Sequence, residues 1–155
     1  IGDSQFQFIP PRLLIGLAEL RRGDESASRA AFAEAARDLE SRLEASPDDE
    51  RYRGALGLAY AGLGRREDAL REARRGVELM PVEKEAWRGV FRRGELAAVH
   101  AWVGNADSAI AHLDFLLSIP GEVSTYILRH EPVWDPLRGD PAFEAMIAGH
   151  EAAGG

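Results

Sequence analysis

Cysteine is absent from all 155 residues, which excludes disulfide staples and thiolate metal sites. β-Branched residues are sparse beside Ala, Leu, Arg and Glu, a balance that favours helix over strand. No apolar run approaches the roughly 20 residues that span a bilayer, and no leader-peptide pattern is present, so membrane insertion is not expected. Signatures of chemistry are missing too. There is no Gly-x-Ser-x-Gly elbow, no Walker loop and no Gly-x-Gly-x-x-Gly turn after a strand. No convergent acid, base and nucleophile set can be named, so neither catalysis nor a cofactor is expected. His100, His112, His130 and His150 have no metal-ligand spacing, and His112 and Asp114, two apart, face different sides of a helix.

Positive charge is scarce in the last third. Residues 1–93 hold 17 Arg/Lys and 17 Asp/Glu, whereas residues 94–155 hold 2 and 9, giving a net charge of −7. An acidic chain is a poor match for nucleic acid, whose binding surfaces are dominated by phosphate-neutralising cations. The chain opens on Ile1 and closes on Ala-Ala-Gly-Gly, which reads as a piece of a larger protein. The cytoplasm is the expected compartment, with the bacterial periplasm equally compatible with the lack of Cys.

What the chain does contain is a repeated pattern: helix, tight Gly turn, second helix, closing Pro. The plainest copy runs through Ala55-Leu56-Gly57-Leu58-Ala59-Tyr60, Gly64 and Ala69 to Met80-Pro81. A second passes from Leu96 through His100, Gly104, Ala109, Leu113 and Leu116 to Pro120, and a fainter one through Leu17, Leu20, Gly23-Asp24, Phe32 and Ala35 to Pro47. Apolar residues at i, i+3, i+4 and i+7 place helices over 12–22, 24–45, 49–63, 65–80, 82–103 and 106–119. Pro at helix starts and Gly at helix ends mark the boundaries. Gly89 and Gly94 each weaken the fifth helix by about 1 kcal/mol relative to Ala. Beyond Pro120, a short helix is expected over 123–128 and an aromatic-anchored loop over 132–137. Asp140-Pro141 should then cap and start a last helix reaching Ala148. The fold class is all-α: a right-handed α-solenoid of about three helical hairpins with lengthened helices and a C-terminal capping helix. It forms one domain with units of about 10–47, 48–81 and 82–120 and a cap over 121–150.

These residues resemble the tetratricopeptide repeat. Leu56, Gly57, Tyr60, Ala69 and Pro81 fall where its pattern of about 34 residues puts Leu, Gly, Tyr, Ala and Pro. Arg53, Ala73 and Gly76 depart from it, as do Ala97 and His100 in the third unit. The stride departs as well, since the turn glycines Gly23, Gly64 and Gly104 lie 41 and 40 residues apart. The stretched stride, with the tail Trp134-Asp135-Pro136-Leu137-Arg138, Asp140-Pro141 and Phe143, is similar to the C-terminal repeat region of bacterial multidomain regulators. Those are serine/threonine kinases, adenylate cyclases and winged-helix transcriptional activators. The resemblance implies a non-catalytic module for protein–protein interaction and scaffolding in signalling, with a peptide or neighbouring domain as partner.

It also implies a groove lined by the first helix of each pair. Carried over residue by residue, that groove comprises Leu13, Leu17 and Leu20; Gly54, Leu58 and Ala61; and Phe91, Gly94, Ala98 and Trp102. Phe91 and Trp102 are candidate aromatic anchors, although Trp102 can equally pack against a C-terminal segment folding back into the groove. The Lys/Asn set that clamps a C-terminal carboxylate in some relatives is not seen. A small molecule entering the same groove to regulate an attached domain is the alternative. Arg65, Arg66, Arg74 and Arg75 form either a solvated face or a dock for an acidic partner. Trp134, Val133 and Phe143 are expected to close the C-terminal end of the stack. Phe6, Phe8 and Ile9 leave the N-terminal end apolar, which suggests self-association there.

Overall fold

The computed structural model describes residues 4–121 and 123–153, and among them every regular element is helical. Six helices make three consecutive pairs: α1 (Pro11–Arg21) with α2 (Glu25–Ala45), α3 (Glu50–Gly62) with α4 (Arg66–Leu79), and α5 (Ala86–Trp102) with α6 (Ala106–Leu117). A short α7 (Thr125–His130), a 3-10 helix (Pro132–Leu137) and α8 (Pro141–Ala153) follow. None of the described helices is long and apolar enough to cross a membrane.

One turn is built three times. The N–H groups of Asp24, Arg65 and Asn105 donate back to the carbonyls of Glu19, Tyr60 and His100 at 3.0, 2.9 and 2.8 Å. Each closure passes over a glycine with positive φ: Gly23 at 82°, Gly64 at 75° and Gly104 at 77°. This left-handed C-terminal closure satisfies orphan carbonyls of the first helix in a conformation that glycine adopts without a Cβ penalty. The second helix then starts at once, and the pair packs face to face.

Small residues set how closely the pairs approach. A Cβ on Gly57 would lie 3.0 Å from the Ala69 carbonyl oxygen and 3.1 Å from the Ala73 Cβ, so α3 and α4 touch nearly backbone to backbone. α3 also packs against α2 and α5, and α4 against α5. Phe32, Leu39, Leu56, Ala59, Tyr60, Leu96 and Val99 form one buried cluster; Leu113, Leu116, Leu128, Trp134, Phe143 and Ile147 form the core of a second. Leu58 and Trp102 border both.

The fifth helix starts four residues later than the periodicity predicts. Pro81 accepts from the N–H groups of Lys84 and Glu85 at 3.0 and 3.3 Å, so 81–85 is a turn. The Glu85 carboxylate then caps α5, accepting from the Trp87 N–H at 2.9 Å and from Arg88. Gly89 is what lets this turn lie on the helix, because a Cβ there would sit 2.5 Å from the Val82 Cα. The 132–137 stretch, expected as a loop, is a 3-10 helix, and α8 continues past Ala148 to Ala153.

Candidate functional site

The first helices of the three pairs, α1, α3 and α5, share one face, and two segments, residues 4–9 and the 3-10 helix, run across it. The 3-10 helix contacts α1 and α5. Trp102 Nε1 donates to the Val133 carbonyl at 2.7 Å, and Arg21 on α1 donates to both carboxylate oxygens of Asp135 at 2.8 and 3.0 Å. The Arg21 hydrogen bond, with the neighbouring Arg138, holds the Asp135 carboxyl below its usual range. Trp134 and Leu137 are buried beside Phe143, whose helix is capped by Asp140 through the Ala142 N–H at 2.8 Å.

The N-terminal segment crosses α3 and α5. Arg51 donates to the Ser4 carbonyl at 2.7 Å and Arg92 to the Phe6 carbonyl at 2.8 Å. The Phe6 ring stacks on Phe91 with centroids 6.0 Å apart, and Phe8 meets Tyr52 edge-on at 5.0 Å beneath the Arg42 guanidinium. The expectation that Phe6, Phe8 and Ile9 form an open apolar end is therefore corrected. Phe8 is buried in the first core cluster, and Ile9 is packed against it.

Between these two segments lies a cleft of about 620 Å³. Phe8, Ile9, Leu13, Leu14, Leu17 and Leu58 form its apolar wall, and Val133 closes one side. Glu95 reaches its floor. A smaller neighbour of about 260 Å³ is lined by Phe91, Gly94, Ala98, Trp134 and the same Leu58, Glu95 and Val133. A third hollow of about 280 Å³ lies between Leu17, Leu20, Trp102 and the 3-10 helix.

The structure thus brings Leu13, Leu17 and Leu58 together in the main cleft, places Phe91 and Ala98 in the second and sets Leu20 beside Trp102 at the third. Ala61 is buried in the core. Trp102 meets Phe32 edge-on at 6.0 Å and bonds Val133, which is the self-packing alternative for this residue. Leu14 and Leu20 remain 41% and 42% exposed.

Beneath the N-terminal segment is a polar group that pattern reading does not reveal. Arg92 is fully buried and shares its Nη2 between the Phe6 carbonyl and Glu95 Oε1 at 2.9 Å. Its Nε and Nη1 and the Glu95 Oε2 are buried with no partner among the described residues. Burial pushes the Glu95 carboxyl up to about 7, against the pull of Arg92 and with the help of Glu50. Glu50, also buried, pairs with Arg88. Gly54 makes room for the carboxylate, since a Cβ there would overlap Glu95 Oε2. Arg92 and Glu95 stand i, i+3 on a helix that also carries Arg88 and Arg93, so their spacing does not set them apart from a solvated charged pair.

Of the four candidate arginines, Arg65, Arg66 and Arg75 are tied up within the chain. Arg65 bonds Asp68 and lies 3.9 Å above the Tyr60 ring. Arg66 bonds the Val103 carbonyl and Asn105, and Arg75 bonds Asp48 and Glu78. His100 is buried, accepts from the Asn105 amide at 3.3 Å and stacks on His112 at 5.6 Å. Burial, with His112, Arg74 and Arg66 nearby, pushes His100 down to about 4. No group of three or more metal-ligating side chains forms among the described residues.

No family model, curated protein or solved structure matches the chain.

Proposed function

We propose that this domain is a non-catalytic binding module that receives a segment of a protein partner on the α1–α3–α5 face. One observation carries the reading: that face already holds two stretches of polypeptide by their main chains. Trp102, Arg51 and Arg92 donate to the carbonyls of Val133, Ser4 and Phe6, while apolar side chains settle between the helices. Main-chain capture with apolar pockets alongside is how peptide-recognition surfaces combine affinity with selectivity. The open main cleft, edged by the exposed Leu14, is the part of the face free for a partner's apolar side chains.

The thrice-repeated glycine closure and the close α3–α4 contact at Gly57 support a right-handed, tetratricopeptide-like stack. On that reading, the module belongs to a larger bacterial regulator. Selection of a displayed peptide library on the wild-type chain tests the function. Enriched peptides should carry paired apolar residues and lose binding to Leu17→Lys while the variant keeps its helix content. An unenriched library would count against the module.

A second reading, a sensor for a small apolar molecule, is favoured by the main cleft itself. Its volume of about 620 Å³ lies in the range of ordinary ligand pockets, which combine apolar walls with a few placed polar groups. A metabolite panel that raises the melting temperature, where the peptide library does not enrich, selects this reading.

A further inference from the structure

The N-terminal segment makes its own shape. Ser4 Oγ accepts from the N–H groups of Phe6 and Gln7 at 3.2 and 3.0 Å, and the Ser4 N–H donates to the Gln7 carbonyl at 3.0 Å. Ser side chains that capture the backbone two or three residues on form such turns without help from the rest of the fold. The turn precedes α1 and belongs to none of the helix pairs.

Its seat has two kinds of contact. Arg51 and Arg92 reach main-chain carbonyls, which every peptide presents. Phe91 takes the first aromatic ring, while Tyr52 and Arg42 take the second, and these contacts select for rings two residues apart. The floor is also incompletely used. Arg92 Nε and Nη1 and Glu95 Oε2 are buried and unpartnered, and such groups are normally satisfied in a finished interior. The resident segment therefore leaves hydrogen-bonding capacity at the bottom of its own seat.

We propose that this seat is a recognition site for a turn-forming Ser-x-Phe-x-Phe segment of a protein partner, and that the chain's own residues 4–8 are its exchangeable occupant. The inference rests on the binding-module reading and names its ligand. Covalent attachment gives the resident segment a high effective concentration, so a free peptide must compete against it. Weakening the resident segment opens the site.

The test uses the full chain and a fluorescein-labelled peptide, Ser-Gln-Phe-Gln-Phe-Ile-Pro, followed by fluorescence anisotropy. The Phe6→Ala/Phe8→Ala variant should bind the peptide at least tenfold more tightly than the wild type. A peptide with both Phe replaced by Ala should not bind, and adding Phe91→Ala to the variant should weaken binding at least tenfold. On the wild type, excess unlabelled peptide should accelerate amide hydrogen exchange at residues 6–8. Loss of helix in Phe6→Ala/Phe8→Ala overturns exchangeability, because the segment is then structural. A folded variant that ignores the peptide, or unchanged exchange at residues 6–8, overturns recognition. If library-selected peptides still bind through Leu17 in that case, the binding module stands and only this inference fails. If nothing binds, both fail.

Discussion

The indole Nε1 of Trp102 donates to the Val133 carbonyl at 2.7 Å, joining the last turn of α5 to the segment that follows α7. Of the two roles open to Trp102, ligand anchor or packing against the chain's own C-terminal segment, this hydrogen bond is the second. Trp102→Phe keeps the ring contact with Phe32 and removes the donor. The variant should lose about 1 kcal/mol in urea unfolding, and amide exchange over 132–137 should speed up. An unchanged exchange rate there would mean that the hydrogen bond does not hold the segment.

Gly89 separates helix propensity from packing. Propensity alone says that Gly89→Ala stabilises α5 by about 1 kcal/mol. The Val82 Cα, 2.5 Å from the position of the new Cβ, is backbone and cannot swing aside. Gly89→Ala should therefore destabilise the chain by about 2 kcal/mol, as overpacking does. The change in urea midpoint has opposite signs under the two arguments.

Two buried groups give stability opposite dependences on pH. Glu95 titrates near 7 in the folded chain against 4.5 as its ordinary value. The folded state therefore holds a proton that the unfolded state has released, and this stability falls as pH rises from 4.5 through 7. Glu95→Gln keeps an acceptor for Arg92 and cannot ionise. Its stability relative to wild type should grow from pH 4.5 to pH 8 by up to about 3 kcal/mol, read from urea midpoints at the two pH values. A difference independent of pH would contradict the burial of this carboxyl.

His100 runs the other way. It titrates near 4 when folded against 6.5 ordinarily, so below pH 6.5 the unfolded chain takes up a proton that the folded chain refuses. This stability is complete above 6.5 and lost as pH falls to 4. His100→Phe should gain on the wild type between pH 7 and pH 4.5 by about 2 kcal/mol. Chemical denaturation at both pH values checks it, and equal losses in the two proteins would rule it out.

The local architecture was legible because its causes are local. Apolar spacing marks α2 and α4, Pro10-Pro11 and Asp49 mark helix starts, and Gly23, Gly64 and Gly104 mark the turns. The start of α5 was not legible, because Glu85 caps it only after Pro81 has turned the chain, a competition that periodicity does not register. Leu13, Leu17 and Leu58, named from the repeat pattern, line the main cleft on the α1–α3–α5 face. Its occupants were beyond local reading. Phe6 meets Phe91 and Asp135 meets Arg21 across 85 and 114 residues, and nothing in the spacing of either partner announces the other. Arg92 and Glu95 were hidden for a related reason: a charged pair at i, i+3 looks like a solvated face until the N-terminal segment is laid over it.

Residues 4–9 and the 3-10 helix both lie on the α1–α3–α5 face. A nuclear Overhauser spectrum of the wild-type chain measures this directly. Cross-peaks are expected between the Phe6 and Phe91 rings, and between the Trp102 indole proton and the backbone around Val133, with that indole proton slow to exchange. A rapidly exchanging indole proton and a Phe6 ring without contacts to α5 would contradict this placement.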